Sequence, residues 1–270
     1  MNEGDYILEV NGKELKESEN FYKNFEGSVG RQVHLLVNEK PTKAGARLIT
    51  TIPISNERAL RSWAWGEGNR KKVDELSGGK LAYVWVPNTG DGGYTYFNRY
   101  YFAQQDKKGA IIDERNNGGG SAADYIVDIL NRKVQGFFNS KAGDRTPFTS
   151  PGAGIWGPKV MIINERAGSG GDLLPFLFKQ MKIGPLVGTK RMVAPRGGFY
   201  NIDGEWDVEG LGIAPDIEVM QTPKDVMNGR DPQLEKAVKE ALRLLKDYPD
   251  PLKKQPEDPI RWKRPNKTKN

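Results

Sequence analysis

Ser169 stands in "IINERAGSGGDLLPF", residues Ile162–Phe176, where an apolar run stops, a turn of small residues follows and a second apolar run begins. A serine just ahead of a helix N-terminus has two things that acyl transfer needs. Its hydroxyl has no bulky neighbour, and the helix dipole and the first unbonded N–H groups favour an oxyanion. A second loop, in "IIDERNNGGGSAADYIVDIL", repeats the layout: a strand ends, three glycines follow, and a helix begins near Ser121, a good N-cap residue. Gly119 or Gly120 can then offer a second N–H donor from a neighbouring strand end. Such turns also cradle phosphates or simply reverse the chain in an α/β fold. Neither loop runs on into Gly-Lys-Ser/Thr, so a P-loop is excluded. The stretch is not G-x-S-x-G either, so the nucleophile elbow of α/β-hydrolases is excluded. On spacing alone, nucleophile and turn residue both stay open for Ser169.

The elements that must hold these loops are short and dense. "KLAYVWVP", "GAIIDE", "KVMIIN" and "IGPLVGT" read as buried strands, and "YFNRYYFAQQ", "SAADYIVDILNRK" and "LLPFLFKQMK" as the helices between them. Strands alternating with helices predict a mainly parallel sheet covered on both faces. Its C-terminal strand ends gather at one edge, so the two glycine loops should lie side by side there. Ser169 Oγ should then fall within roughly 7 Å of the Gly119 or Gly120 nitrogen, the span of two hydrogen bonds to one oxyanion. Pro175 is harmless only in a first turn, which predicts a helix start near Asp172. A last helix, "DPQLEKAVKEALRLLKDY", puts Leu234, Val238, Ala241 and Leu245 on one face.

Residues 1–54 read as a small β-rich module: a strand, an Asn-Gly turn and a short strand in "DYILEVNGKEL", an amphipathic helix in "ENFYKNF", and strands in "RQVHLLVN" and "ARLITTIPI". Residues 55–247 form the main core, and residues 248–270 a basic, proline-containing tail that is poorly ordered. That tail holds much of the charge: residues 251–270 carry seven Lys or Arg against Glu257 and Asp258, five of the net +6. A basic tail can bind nucleic acid or anionic lipid, but a solvated terminus is the expectation, and with no basic stripe interleaved with aromatics in the body nucleic-acid binding has little support. The chain has no cysteine, which excludes a thiol nucleophile, a thiolate metal site and a disulfide framework. No apolar run reaches transmembrane length, and "MNEGDYILEV" has no signal-peptide pattern. A cytoplasmic location is favoured; a periplasmic or secreted one would need a further N-terminal segment. No metal or cofactor is expected.

"NERAGSGGD", "DERNNGGG" and "VEGLGIAPDIEV" together resemble the protease core of the tricorn and tail-specific (C-terminal processing) serine peptidases, nearest the tricorn branch. "GDYILEVNG" resembles the second half of the PDZ domain before that core. The resemblance runs from about Glu3 to about Lys246. It implies an α/β fold of the ClpP/crotonase-like class, preceded by a partial PDZ-like module, that cleaves peptides or unfolded proteins as a serine endopeptidase. A homo-oligomer is compatible with it. Ser169 matches the nucleophile, the N–H groups of Gly170 and of Gly119 or Gly120 match the oxyanion hole, and Glu209 matches the acidic residue that orients the base.

The chain also departs from the pattern. The tricorn branch takes its base from a histidine upstream of the PDZ domain, and the single histidine here, His34, alternates with core residues on a strand of the small module. It reads as a strand-surface residue. The tail-specific branch uses a lysine beyond the serine; Lys190 comes several residues too early, and Ala194 occupies that place. The expectation is therefore a C-terminal part of a longer protease whose base lies outside this sequence. Glu165 and Asp113 read as capping or ion-pairing residues, and Asp216 as a turn residue. Two other functions share the fold: a catalytically silent peptide-binding module, and a crotonase-like acyl-CoA enzyme, for which Ser169 has no purpose.

Overall fold

In a computed structural model, residues 1–139, 147–189, 199–200, 202–206, 212–251 and 255–257 are described. The chain divides into two compact units, Met1–Trp65 and Gly66–Asn270. The first unit is built on alternation. Strands β1 (Tyr6–Val10), β2 (Lys13–Glu14), β3 (Val33–Asn38) and β4 (Arg47–Thr51) form an antiparallel sheet in the order β2-β1-β3-β4. Asn11 and Gly12, at φ 50° and 78°, make the two-residue β1–β2 turn with both residues left-handed, as the Asn-Gly pair predicts. Val33, Leu35 and Val37 point one way and join Val10 in the core. His34 points the other way, is exposed, and shares a hydrogen bond between Nδ1 and Thr50 Oγ1 at 3.0 Å. "ENFYKNF" forms a 3-10 turn, Phe21–Phe25, rather than the expected amphipathic helix; five residues give too little length, and none of them is buried.

The second unit is a three-layer α/β sandwich. Helix α1 (Arg58–Ser77) carries the division between the units. There follow β5 (Leu81–Trp85), α2 (Asp91–Phe102), β6 (Gly109–Asp113), α3 (Ala123–Leu130), the hairpin β7 (Gly136–Phe138) and β8 (Phe148–Ser150), and β9 (Lys159–Ile163). Then come α4 (Gly170–Gln180), β10 (Leu186–Gly188), β11 (Ile217–Glu218), α5 (Pro223–Met227) and α6 (Pro232–Lys246). The main sheet runs β11-β10-β9-β6-β5, with every described pairing parallel. All residues of β6 and β9 are buried, which is why these strands read as continuous apolar runs. Ala82, Val84, Ile112, Met161 and Leu186 meet α2, α3 and α4 on one face. Leu81, Tyr83, Ile111, Val160 and Val187 meet Val73 of α1 and Leu234, Ala237, Val238 and Ala241 of α6 on the other. No helix among the described residues is long and apolar enough to cross a membrane.

A buried ionic network ties the β6 end to α6. Asp113 receives Arg115 Nη2 at 2.6 Å and Tyr83 Oη at 2.8 Å. Arg115 Nη1 reaches on to Asp231 Oδ1 at 2.9 Å, and the same oxygen accepts the Leu234 N–H at 3.0 Å and so caps α6. Burial opposes the Arg115 charge, but the Asp113 carboxylate outweighs it and leaves the guanidinium above its ordinary pKa. Asp113 is thus an ion-pairing residue. Lys159, the first residue of β9, is the opposite case. Its ammonium is buried and donates to the Gly157 carbonyl at 3.2 Å, and no carboxylate among the described residues pairs with it. Burial pushes its pKa down to about 8.

The folded chain therefore binds Lys159's proton more weakly than the unfolded chain does, so the cost is paid in full below about pH 8 and fades as pH rises to the ordinary lysine value. Lys159→Met should raise stability at pH 7 by up to about 3 kcal/mol, with the gain disappearing by about pH 10.5. Urea denaturation across that pH range measures it; a destabilised variant at pH 7 would show that the ammonium is held by more than the Gly157 carbonyl.

Candidate active site

Ser169 sits immediately before α4 in a conformation that side chains rarely adopt, φ 56° and ψ −117°. Such backbone strain persists only where surrounding structure enforces it, and it concentrates at functional positions. The serine is exposed, and its hydroxyl does not cap the helix it precedes. Helix α4 starts at Gly170, two residues before the expected Asp172. The first turn closes through Gly171 N–H to Gly168 O at 2.9 Å and Leu173 N–H to Ser169 O at 3.1 Å. Pro175 therefore lies beyond the first turn, inside the helix, where its missing N–H leaves the Gly171 carbonyl without its usual partner. The Gly170 N–H is one of the helix's unbonded first donors.

The two glycine loops meet at one edge of the sheet, as parallel strands require. A Cβ built on Gly119 would lie 3.3 Å from Ser169 Oγ. With standard backbone geometry, this bounds the distance from Ser169 Oγ to the Gly119 nitrogen at about 6 Å, within the expected span. The loops are also bonded to each other. Gly168 N–H donates to the Asn117 carbonyl at 3.0 Å, Asn116 N–H donates to Asn164 Oδ1 at 2.9 Å, and Asn164 Nδ2 donates back to Asn116 Oδ1 at 3.2 Å. Asn116 holds φ 62° to do so.

The candidate oxyanion donors are not equivalent. Gly119 is buried, and its N–H donates to Asn117 Oδ1 at 2.9 Å. Gly120 is exposed, and its N–H has no partner among the described residues. A third loop, "PNTGDGG" after β5, joins the same edge and was missed in the sequence. Thr89 N–H donates to the Gly119 carbonyl at 2.9 Å, and Ala122 N–H donates to the Thr89 carbonyl at 2.7 Å. The signal that could have found it is the same one that marked the other two: a buried strand, a glycine-rich turn and a helix. Ser121 does not cap α3; the N-cap position falls to Ala122, which has no side-chain bond to offer.

Other expected residues fall into structural roles. Glu165 accepts a hydrogen bond from Thr189 Oγ1 at 2.7 Å, which holds its carboxyl below the usual range. Asp216 accepts the Leu186 N–H at 2.8 Å and pairs with Lys179 at 2.8 Å. Glu209, Lys190 and Ala194 lie outside the described residues. No group of three or more His, Cys, Asp or Glu among the described residues is arranged to hold a metal.

The close approach of these loops makes a sharp prediction about glycine. A Cβ on Gly170 would stand 2.1 Å from the Gly120 carbonyl oxygen and 2.2 Å from Thr89 Oγ1, whereas one on Gly118 meets nothing nearer than 3.9 Å. Gly170→Ala should cost about 1–3 kcal/mol or more, and Gly118→Ala should stay within about 0.5 kcal/mol of the parent. Urea midpoints for the two variants check this; equal costs would mean that the loops do not pack as described.

Comparison with known proteins shows what the chain resembles. Residues 80–194 match the model of peptidase family S41. The chain is 28% identical to the tricorn protease of Thermoplasma acidophilum over 271 residues, covering 94% of this chain and 25% of that protein. It is 32% identical to tricorn protease homolog 1 of Streptomyces coelicolor, covering 91% of this chain and 24% of that one. It is also 32% identical to a putative tricorn-like protease C-terminal subunit of Sulfurisphaera tokodaii, covering 92% and 30%. A crystal structure of the tricorn protease superposes with a TM-score of 0.80 at 27% identity, covering 90% of this chain and 25% of that one. The chain thus spans less than a third of the length of these relatives. In sequence and in fold the chain resembles the tricorn proteases over most of its length, and residues 80–194 resemble peptidase family S41.

Proposed function

We propose that residues 66–247 carry the nucleophile and oxyanion hole of a peptidase that cleaves peptides or unfolded proteins. The observation that carries this reading is the strained, exposed Ser169 packed against Gly119. Ser169 Oγ attacks the scissile carbonyl carbon and gives its proton to a base. The carbonyl oxygen, now an oxyanion, accepts the Gly170 N–H and a second N–H from the Gly119–Gly120 turn. Gly120 is the readier donor, since Gly119 must first leave Asn117 Oδ1. Collapse of the intermediate breaks the C–N bond, the protonated base hands its proton to the leaving amine, and water hydrolyses the acyl-enzyme by the same steps.

The base in this proposal is an imidazole oriented by Glu209 and contributed from outside the chain. No described side chain hydrogen-bonds Ser169 Oγ, and the sequence's single histidine is His34, on a strand of the first unit. The relative named a C-terminal subunit supports a core of this kind working with a second polypeptide. The partial PDZ reading of the first unit belongs to the same proposal, with the open ends of its four-stranded sheet as a place for a peptide strand.

The test is peptide hydrolysis by the 270-residue chain, alone and with an added segment carrying Ser-His and the missing part of the PDZ domain. Without a base, serine proteases keep only roughly 10³–10⁴-fold catalysis over water. The segment should raise the rate by orders of magnitude, Ser169→Ala should abolish that gain, and a fluorophosphonate should label Ser169 only when the segment is present. Full activity in the bare chain, lost in Lys190→Ala, would assign the base to Lys190 instead. No gain and no labelling would favour a silent peptide binder.

A further inference from the structure

The edge of the sheet opposite Ser169 holds a separate feature. A cavity of about 410 Å³ opens where β9 begins, with Arg132, Lys133, Lys159, Lys182, Tyr248 and Asp250 among its lining residues. Four of these are cations and one is a carboxylate, so the walls carry a net charge of about +3 near neutral pH. Lys133 and Lys182 are exposed. Lys159 is different in kind: only 5% of it is exposed. Of its three N–H donors, one is used, toward the Gly157 carbonyl. A buried ammonium without a carboxylate is costly.

We infer that this cavity is a binding site for a small polyanion carrying two or more negative charges, with Lys159 as its buried anchor and Arg132 and Lys182 as its outer contacts. The volume is within the range of small-ligand sites. A guanidinium offers paired donors to oxyanion groups, and the lysines offer point charges. The shared chemistry is a cluster of anionic oxygens, found in phosphate esters and in polycarboxylates alike. The depressed pKa of Lys159 agrees with this, because an anion would supply the counter-charge that the fold omits. The inference is independent of the chemistry at Ser169, which lies beyond the other end of β9.

Calorimetric titration of the full 270-residue chain at pH 7 with pyrophosphate, with citrate, and with chloride at matched ionic strength tests it. Saturable binding of one polyanion per chain is expected, weakened at least tenfold in Lys159→Met and in Lys182→Ala. Lys159→Met removes a buried charge at similar volume, and its urea midpoint shows that it folds. As a second readout, bound polyanion should protect Lys159 from acylation, read by peptide mapping. Binding of pyrophosphate alone would assign the site to phosphate esters, and binding of citrate alone to polycarboxylates. No binding beyond the chloride control, or equal binding by the parent and Lys159→Met, would overturn the inference.

Discussion

The site depends on one steric constraint: three strand-to-helix loops cross at the sheet edge so closely that their backbones leave no space for a side chain. A Cβ on Gly120 would stand 2.2 Å from the Gly90 nitrogen, and one on Gly170 would stand 2.1 Å from the Gly120 oxygen. Glycine is the one residue that fits such crossings, and at Gly119 and Gly120 it also accepts φ of 82° and 139°. The consequence is chemical. Backbone N–H groups of two loops and the hydroxyl of Ser169 are brought within a few ångströms of each other by packing alone. Donors fixed in this way need little reorganisation when charge develops, which is the condition for electrostatic stabilisation of an oxyanion.

The rest of the second unit holds those crossings in register. Parallel pairing of β5, β6 and β9 places their C-terminal ends side by side, and apolar burial on both faces fixes each strand. The Asp113–Arg115–Asp231 network anchors the start of the second loop to α6 on the far face. Breaking it would leave a charge buried and unpaired, which typically costs about 3–5 kcal/mol. The Asn116–Asn164 pair then sets the second loop against the Ser169 loop. The strain at Ser169 is sustained by this framework of sheet, ion pair and amide bonds, since nothing local to an ordinary helix N-terminus would favour φ 56°.

Much of this was legible from the order of residues, because it follows from periodicity. Val33, Leu35 and Val37 faced the core as their alternation required, and the solid apolar runs at β6 and β9 marked strands buried on both faces. Ser169 and the Gly118–Gly120 run stood out because each broke such a run. What was not legible depended on contacts between distant residues. Thr89 carries no chemistry of its own, and its place under Gly119 follows only from sheet order. The Gly119 N–H looked as available as that of Gly120 until Asn117 Oδ1 was seen to accept it. Pro175 suggested a later helix start, because the tight turn at Gly168–Ser169 was not foreseeable from propensity. "ENFYKNF" had a helical pattern but too few residues to nucleate a helix without buried partners.

The central claim is that the Gly170 N–H and a donor from the Gly119–Gly120 turn converge on one oxyanion formed at Ser169. A crystal structure of the chain bearing a peptidyl boronate on Ser169 Oγ tests it most directly. The account predicts one boronate oxygen at roughly 2.7–3.1 Å from both the Gly170 nitrogen and the Gly120 or Gly119 nitrogen. A boronate whose oxygens all face solvent, with neither loop donating to them, would contradict it.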